Sequence, residues 1–218
     1  MKIKIEIPKI FCNRTTREFG KDEIYYAVMV IASKVENNAL VPSSESPLFG
    51  KVSEIKKKVE KGLGWRPETN DLIVNIGDAQ YFAVILSLYE KDNADIYDEL
   101  KKGYTQIVKP EKFNWKESMD LTVKTLAQDI NKNKKTDLED IWDAVTKKSS
   151  ITPIVIGGLL FELAKKIYKH LRQDDLIGVN TDYFDPSEQG YDLPREYNFR
   201  KFRAKYDVML KVSILEEN

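Results

Sequence analysis

The spacing of apolar residues changes twice along this chain, and this double change limits the folds that it can adopt. From residue 2 to Asp92, apolar side chains recur mostly with the two-residue period of β-strands. After Asp92 the pattern takes the 3.6-residue period of helices, and near Gly178 the two-residue period returns. The pattern predicts an α+β fold: an antiparallel β-sandwich with an inserted α-helical subdomain.

The same change of period sets the expected domain boundaries. Residues 1–92 and 174–218 are predicted to build the sandwich, and residues 93–173 are predicted to form the helical insertion. Apolar residues at helical spacing indicate the helices of the insertion. Thr136 adds a capping hydroxyl, and Glu139 three residues later completes a capping box.

Several segments have the composition of strands. The run 23–35 is apolar almost throughout, which indicates a central strand that is buried on both faces. The other predicted strands alternate, or are rich in β-branched and aromatic residues. They are 2–12, with Ile3, Ile5 and Ile7 on one face, then 71–76 and 81–90 joined by a turn at Gly77 and Asp78, and finally 204–215.

Other segments have the residues of loops and turns. The stretches 36–50 and 185–198 carry Asn, Asp, Pro, Ser and Gly, and we expect both to be loops. Residues 179–184 fit a short strand. The period of residues 51–65 is ambiguous, so this stretch fits either a short basic helix or an edge strand.

The composition excludes several classes of function. Lys and Arg total 35 and so do Asp and Glu, so no overall charge attracts the chain to nucleic acid. A single cysteine, Cys12, allows neither an internal disulfide nor a cysteine-rich zinc site. We expect Cys12 to be a small buried apolar residue, and the single histidine, His170, to complement a helix end.

No sequence signal for a membrane span or for catalysis is present. The N-terminus alternates like a strand and unlike a signal peptide, and no apolar run reaches the ~20 residues that a spanning helix needs. We therefore expect a soluble, cytoplasmic protein. Because glycine-rich phosphate motifs and a G-x-S-x-G elbow are missing from the sequence, we do not expect an enzyme.

Acidic residues at three predicted strand ends resemble the motifs of a known fold. Gly20, Asp22 and Tyr25 precede the central strand, and Glu90 and Asp92 end the strand 81–90 with one residue between them. In these features the chain resembles the C2 domain, a β-sandwich that binds calcium and phospholipid. The first motif departs from the family because Thr16 stands where the family has its first aspartate.

The third motif of the C2 family is an acid directly before an apolar pair and a glycine. Here it is Asp175, Leu176, Ile177 and Gly178, and the strand 204–215 stands where the last strand of the family would be. The resemblance implies a calcium site whose ligands are Asp22, Glu90, Asp92 and Asp175. In the family the second and third motifs are a few residues apart, whereas the helical insertion separates them here.

Physical chemistry alone also favours a cation site. If the strands 23–35 and 81–90 are neighbours, their acids gather at one rim, and a divalent cation relieves the repulsion between them. Calcium takes six to eight oxygen ligands, carboxylates among them. The alternative is that the acids only shape solvated turns and that Lys21 and Lys91 already neutralise them.

Two classes of function remain open at the level of the sequence. One is a peripheral membrane or ligand-binding module, in which the rim binds calcium and an anionic headgroup, helped by nearby Arg17, Phe19, Lys21 and Lys91. The other is a protein–protein interaction or assembly component, in which the sandwich is a scaffold and the helical insertion binds the partner. The loop acids favour the first class, and the size of the insertion favours the second.

The stretch QDDLIG, residues 173–178, yields the first testable prediction. We expect Asp175 to face the acidic rim and Asp174 to end the preceding helix in solvent, with Ile177 buried and Gly178 giving backbone freedom. If calcium binds, Asp175→Asn should weaken it because one negative ligand is lost, and Asp174→Asn should change little. Calorimetric titration of both variants checks this, and an equal effect of the two would contradict it.

Overall fold

Two antiparallel sheets form the part of the chain that the structure describes. The computed structural model describes residues 1–16, 22–36, 39–45, 48–67, 71–91, 97–98, 101, 176–186, 192–201 and 203–215. The strands in these residues are, in chain order, β1 (Lys2–Arg14), β2 (Asp22–Glu36), β3 (Ala39–Pro42), β4 (Leu48–Val52), β5 (Lys56–Val59), β6 (Gly64–Trp65), β7 (Asp71–Asn75), β8 (Tyr81–Glu90), β9 (Leu176–Phe184), β10 (Arg195–Lys201) and β11 (Ala204–Leu215).

Each sheet is organised around one long strand from the first forty residues. In the β1 sheet the order is β10-β11-β1, and both β6 and β7 pair with the other edge of β1. In the β2 sheet, β3, β4 and β5 lie along one edge of β2, and β8 and β9 follow on the other. All of these pairings are antiparallel.

A single apolar core joins the inner faces of the two sheets. The alternation in β11 points every second residue inwards, and in β1 it does so for Ile3, Ile5 and Ile7, as the sequence predicts, before a register shift leads to Ile10 and Cys12. Each fully buried Ile or Val side chain stabilises the fold by about 1.5–3 kcal/mol relative to exposure. The same cluster contains Val28 and Val30 of β2, so the two sheets pack face to face as a sandwich.

Strand β2 is buried on both faces, which confirms the prediction of a central strand. Val28 and Val30 face the β1 sheet, and the intervening Met29 and Ile31 are also at most 1% exposed. At one end of this second face, the ring of Tyr97 packs edge-on against Tyr25, with 5.0 Å between the ring centroids. A strand with two buried faces needs a nearly continuous apolar sequence, which β2 has.

The loop predictions are partly wrong. Residues 36–50, expected to be a loop, contain β3 and β4, and residues 51–65 continue as edge strands β5 and β6 without forming a helix. Edge strands pair on one side only, so they tolerate the Pro and Ser that made this segment resemble a loop. Strand β10 begins at Arg195, inside the predicted loop 185–198, and β9 is longer than the predicted 179–184.

The helical insertion stays a prediction. Of residues 93–173 the structure describes only Tyr97, Asp98 and Lys101, so the helices expected there lie outside the described residues. Among the residues that are described, no helix has the length and apolar character needed to cross a membrane.

Gly178 lies within β9, and its role differs from the predicted one. Ile177 is buried as expected, at 4% exposure, but Gly178 does not have the positive φ that would require backbone freedom. A Cβ atom at Gly178 would lie 3.0 Å from the ring of Phe199, which is 1% exposed. The glycine is therefore needed for the close approach of β10 to β9.

A salt bridge and a hydrogen bond close the side of the sandwich where β9 faces β10. Arg195 of β10 contacts Asp182 of β9 at 2.5 Å, and the Tyr197 hydroxyl donates a hydrogen bond to the same carboxylate. The Arg195 guanidinium also lies 4.6 Å from the centroid of the Phe184 ring. Burial, followed by the contact with Asp182, raises the pKa of Tyr197 above its usual range. These contacts connect the β1 sheet to the β2 sheet along one edge.

The contact of Gly178 with Phe199 can be tested by adding one methyl group. Gly178→Ala should lower the free energy of unfolding by about 1–2 kcal/mol, because the buried ring has little room to move. In a Phe199→Leu background, the same substitution should lower the free energy of unfolding by clearly less. Urea unfolding of the four proteins checks this, and an equal cost in both backgrounds would contradict it.

Candidate functional site

One end of the sandwich brings together acids from distant parts of the sequence. Because β2 and β8 pair antiparallel, the start of β2 lies beside the end of β8, and Ile24 is opposite Glu90. Asp22 lies two residues before Ile24 and therefore on the same face of β2. The pairing of these two strands, assumed from the sequence, is confirmed.

Asp22 is a buried carboxyl group with several hydrogen-bond donors. It is 2% exposed, and it accepts from both the backbone N–H and the hydroxyl of Thr16, each at 3.0 Å. The hydroxyl of Tyr206, a residue of β11, also donates to it. A buried carboxyl is tolerated when its oxygens accept such bonds. Asp22 therefore links the β2 sheet to β11 and to the segment that follows β1.

Thr16 also connects Asp22 to Glu90. Its Oγ1 atom is 3.0 Å from Asp22 Oδ1 and 2.9 Å from Glu90 Oε1, and Glu90 is 8% exposed. A hydroxyl has one proton, so it can donate to only one of these two oxygens at a time. A cation between the two carboxyls would stabilise the arrangement.

Burial controls the chemistry of the two residues behind Asp22. It raises the pKa of the Tyr206 hydroxyl far above its usual range, and the hydrogen bond to Asp22 adds to this effect. Burial likewise raises the pKa of the Cys12 thiol, which is fully buried. Cys12 is therefore a neutral, inaccessible thiol, as expected for a small buried apolar residue.

Lys91, which the alternative interpretation pairs with the rim acids, has Glu23 as a partner. Its ammonium group lies 3.6 Å from Glu23, and its backbone N–H donates to the carbonyl of the same residue at 2.7 Å. Glu23 alternates with Asp22 along β2 and so points to the other face. Lys21, the other expected neutralising residue, lies outside the described residues.

The structure places two of the four predicted metal ligands. Asp22 and Glu90 lie together at the rim, whereas Asp92 and Asp175 lie outside the described residues. From the sequence, Thr16 is a break in the acidic set, but the structure shows it as the bridge between the acids. Tyr206 was missed, although its inward place in the alternation of β11 was a usable signal.

The described donors do not by themselves fit calcium, which needs six to eight oxygens. Asp22, Glu90 and the hydroxyl of Thr16 provide fewer, and both Asp22 oxygens already accept hydrogen bonds. In the described part of the chain, no group of three or more His, Cys, Asp or Glu residues could hold a metal ion. A calcium site at this rim would require further ligands.

Comparison with known proteins gives distant structural similarity only. No protein-family model and no curated protein matches the chain. A C2 domain of plant extended synaptotagmin 1 is similar with a TM-score of 0.40 and 10% identity, over 99% of this chain and 96% of that one. A structure reported for CC2D1B has a TM-score of 0.39 and 10% identity, and the match covers 98% of this chain and 54% of that one. Such low scores establish neither a family nor a function, and the sandwich is defined by its own strand pairing.

The bridging hydroxyl can be removed without changing the size of the side chain. Thr16→Val should lower the free energy of unfolding by about 1–3 kcal/mol, because two buried carboxyls lose a shared partner. Thr16→Ser keeps the hydroxyl and should cost clearly less. Thermal unfolding of both variants checks this, and equal losses would show that the methyl group matters more than the hydroxyl.

Proposed function

We propose that this chain is a non-enzymatic, C2-like binding module whose acidic rim binds an anionic phospholipid surface through calcium. In this proposal Asp22 and Glu90 provide carboxylates, and Asp92 and Asp175 complete the ligand set. The observation that carries the proposal is the convergence of Asp22 and Glu90 on the hydroxyl of Thr16. Two buried acids that share one hydroxyl form a place where a cation lowers the free energy of the folded state.

The chemistry of the rim supports binding more than catalysis. The Cys12 thiol is inaccessible, and the oxygens of Asp22 accept hydrogen bonds from Thr16 and Tyr206. A general acid or base must reach a substrate proton, which a carboxyl at 2% exposure cannot do without rearrangement. A bound calcium ion would instead present open coordination positions to phosphate oxygens at the surface.

A protein partner for the helical insertion is the second class of function that the sequence leaves open. Its residues, 93–173, lie almost entirely outside the described part of the chain, so the structure favours neither this class nor its rejection. The rim proposal is preferred because two of its residues are described and lie together.

Thermal unfolding in millimolar calcium and in chelator tests whether the chain binds calcium. A ligand that binds only the folded state must raise Tm, and the rise should be smaller for Glu90→Gln. Without metal, Glu90→Gln should be neutral or slightly stabilising because it relieves repulsion between the acids. Glu23→Gln, which changes the neighbouring acid on the other face, is the matched control and should retain the full rise in Tm.

Vesicle sedimentation distinguishes binding of calcium from binding of the lipid surface. Calcium should increase binding to vesicles that contain phosphatidylserine and should not do so with phosphatidylcholine alone. A Tm that is the same in calcium and in chelator would refute the metal site. A rise in Tm without sedimentation would leave the metal site in place and refute the lipid surface.

A further inference from the structure

A cavity opens between the two sheets on the side opposite the contacts of β9 with β10. Its volume is about 130 Å³, and it lies between the segment that leads into β5 and the segment that contains β6. Ile10, Ile24, Ile55 and Trp65 give it apolar walls, and Lys56 and Arg66 are the exposed cations of its lining. We call this space the seam cavity.

The pairing of the edge strands explains why the core is open here. Strand β6 has only two residues, and its Trp65 lies opposite Ile10 of β1. Residues opposite each other in a pair point to the same face, so Trp65 points inwards with Ile10, where it packs partly buried against the core. On the other sheet, Lys56 lies opposite Ile24 and is placed over the same opening.

The charges around the seam cavity are not balanced. In the described part of the chain, no carboxylate lies within ion-pair distance of Lys56 or Arg66. Glu54 also lines the cavity, but it pairs with Lys101 at 3.5 Å. The lining therefore carries two cations and one carboxylate, and that carboxylate is paired with Lys101, which favours a ligand with a negative charge.

The geometry points to a small aromatic carboxylate as the ligand of the seam cavity. Its ring would pack against the indole of Trp65, and its carboxylate would lie between Lys56 and Arg66. An apolar cavity of about 150 Å³ is enough to bind benzene, so the volume here suits a single ring. The planar guanidinium of an arginine matches the two oxygens of a carboxylate.

The walls of the cavity favour this ligand over a lipid headgroup or free phosphate. A phosphorylated headgroup is polar throughout, so the part of it that does not reach Lys56 and Arg66 would lie against Ile10, Ile24 and Ile55 at a cost in free energy. An aromatic carboxylate is amphipathic in the same sense as the cavity: one end is apolar and the other end is charged. This site adjoins the acidic rim, since Ile24 of its wall lies opposite Glu90, but its ligand does not depend on calcium.

Fluorine NMR of the protein labelled with 5-fluorotryptophan tests the site directly. The chain has three tryptophans, and Trp65→Phe identifies the resonance of Trp65. In calcium-free buffer, benzoate should shift that resonance saturably and more than those of Trp115 and Trp142. Benzyl alcohol has the ring without the charge and acetate has the charge without the ring, so each should bind at least about threefold more weakly.

Matched charge variants distinguish binding at a specific site from non-specific electrostatic attraction. Lys56→Gln and Arg66→Gln should each weaken benzoate binding by up to about fivefold, the upper end of the range for an exposed ion pair. Lys57→Gln removes a charge from the next residue, which is also exposed but does not line the cavity, and it should leave affinity unchanged. Glu54→Gln should tighten binding because it removes the nearby negative charge.

Three results would overturn the inference. They are the absence of a saturable shift of the Trp65 resonance, equal binding of benzoate, acetate and inorganic phosphate, and equal losses in Lys56→Gln and Lys57→Gln. None of these results bears on calcium binding at the acidic rim, because the measurements are made without calcium.

Discussion

The antiparallel pairing of β2 with β8 is the interaction on which the rest of the structure depends. It runs without a break from Ile24 opposite Glu90 to Ser33 opposite Tyr81, and both strands are buried on both faces. The register is fixed because a shift by one residue would exchange the two faces of each strand. The acids of the rim follow from this register, since it places Glu90 opposite Ile24, two residues from Asp22.

Asp22 gives the sandwich a polar connection inside an apolar core. Its carboxyl belongs to the β2 sheet, but its donors are Tyr206 of β11 and Thr16, which follows β1. The hydrophobic contacts between the sheets are non-directional and would allow small displacements of one sheet over the other. Hydrogen bonds to a buried carboxyl have strict geometry, so they fix how the two sheets are aligned at this end.

The sequence predicted the parts of the fold in which one physical signal dominates. Four strands are long and either alternate or are continuously apolar, so the pattern of apolar residues predicts which of their faces are buried. They are β1, β2, β8 and β11. Strands β3 and β4 were missed because short edge strands are stabilised by a neighbour and not by their own pattern. At the site, Asp22 and Glu90 could be predicted from strand ends, whereas the bridging role of Thr16 depends on side-chain directions that no spacing reveals.

The two sides of the sandwich are closed to different extents, and this affects how the protein moves. Where β9 meets β10, the carboxylate of Asp182 connects the sheets, whereas at the seam cavity the opposite side is covered by β5 and β6, which have four and two residues. Local opening begins where few backbone hydrogen bonds and few buried contacts must be broken. Amide hydrogens at this thin edge therefore exchange before those of β2 and β8, and small molecules can reach the interior while the central pair stays folded.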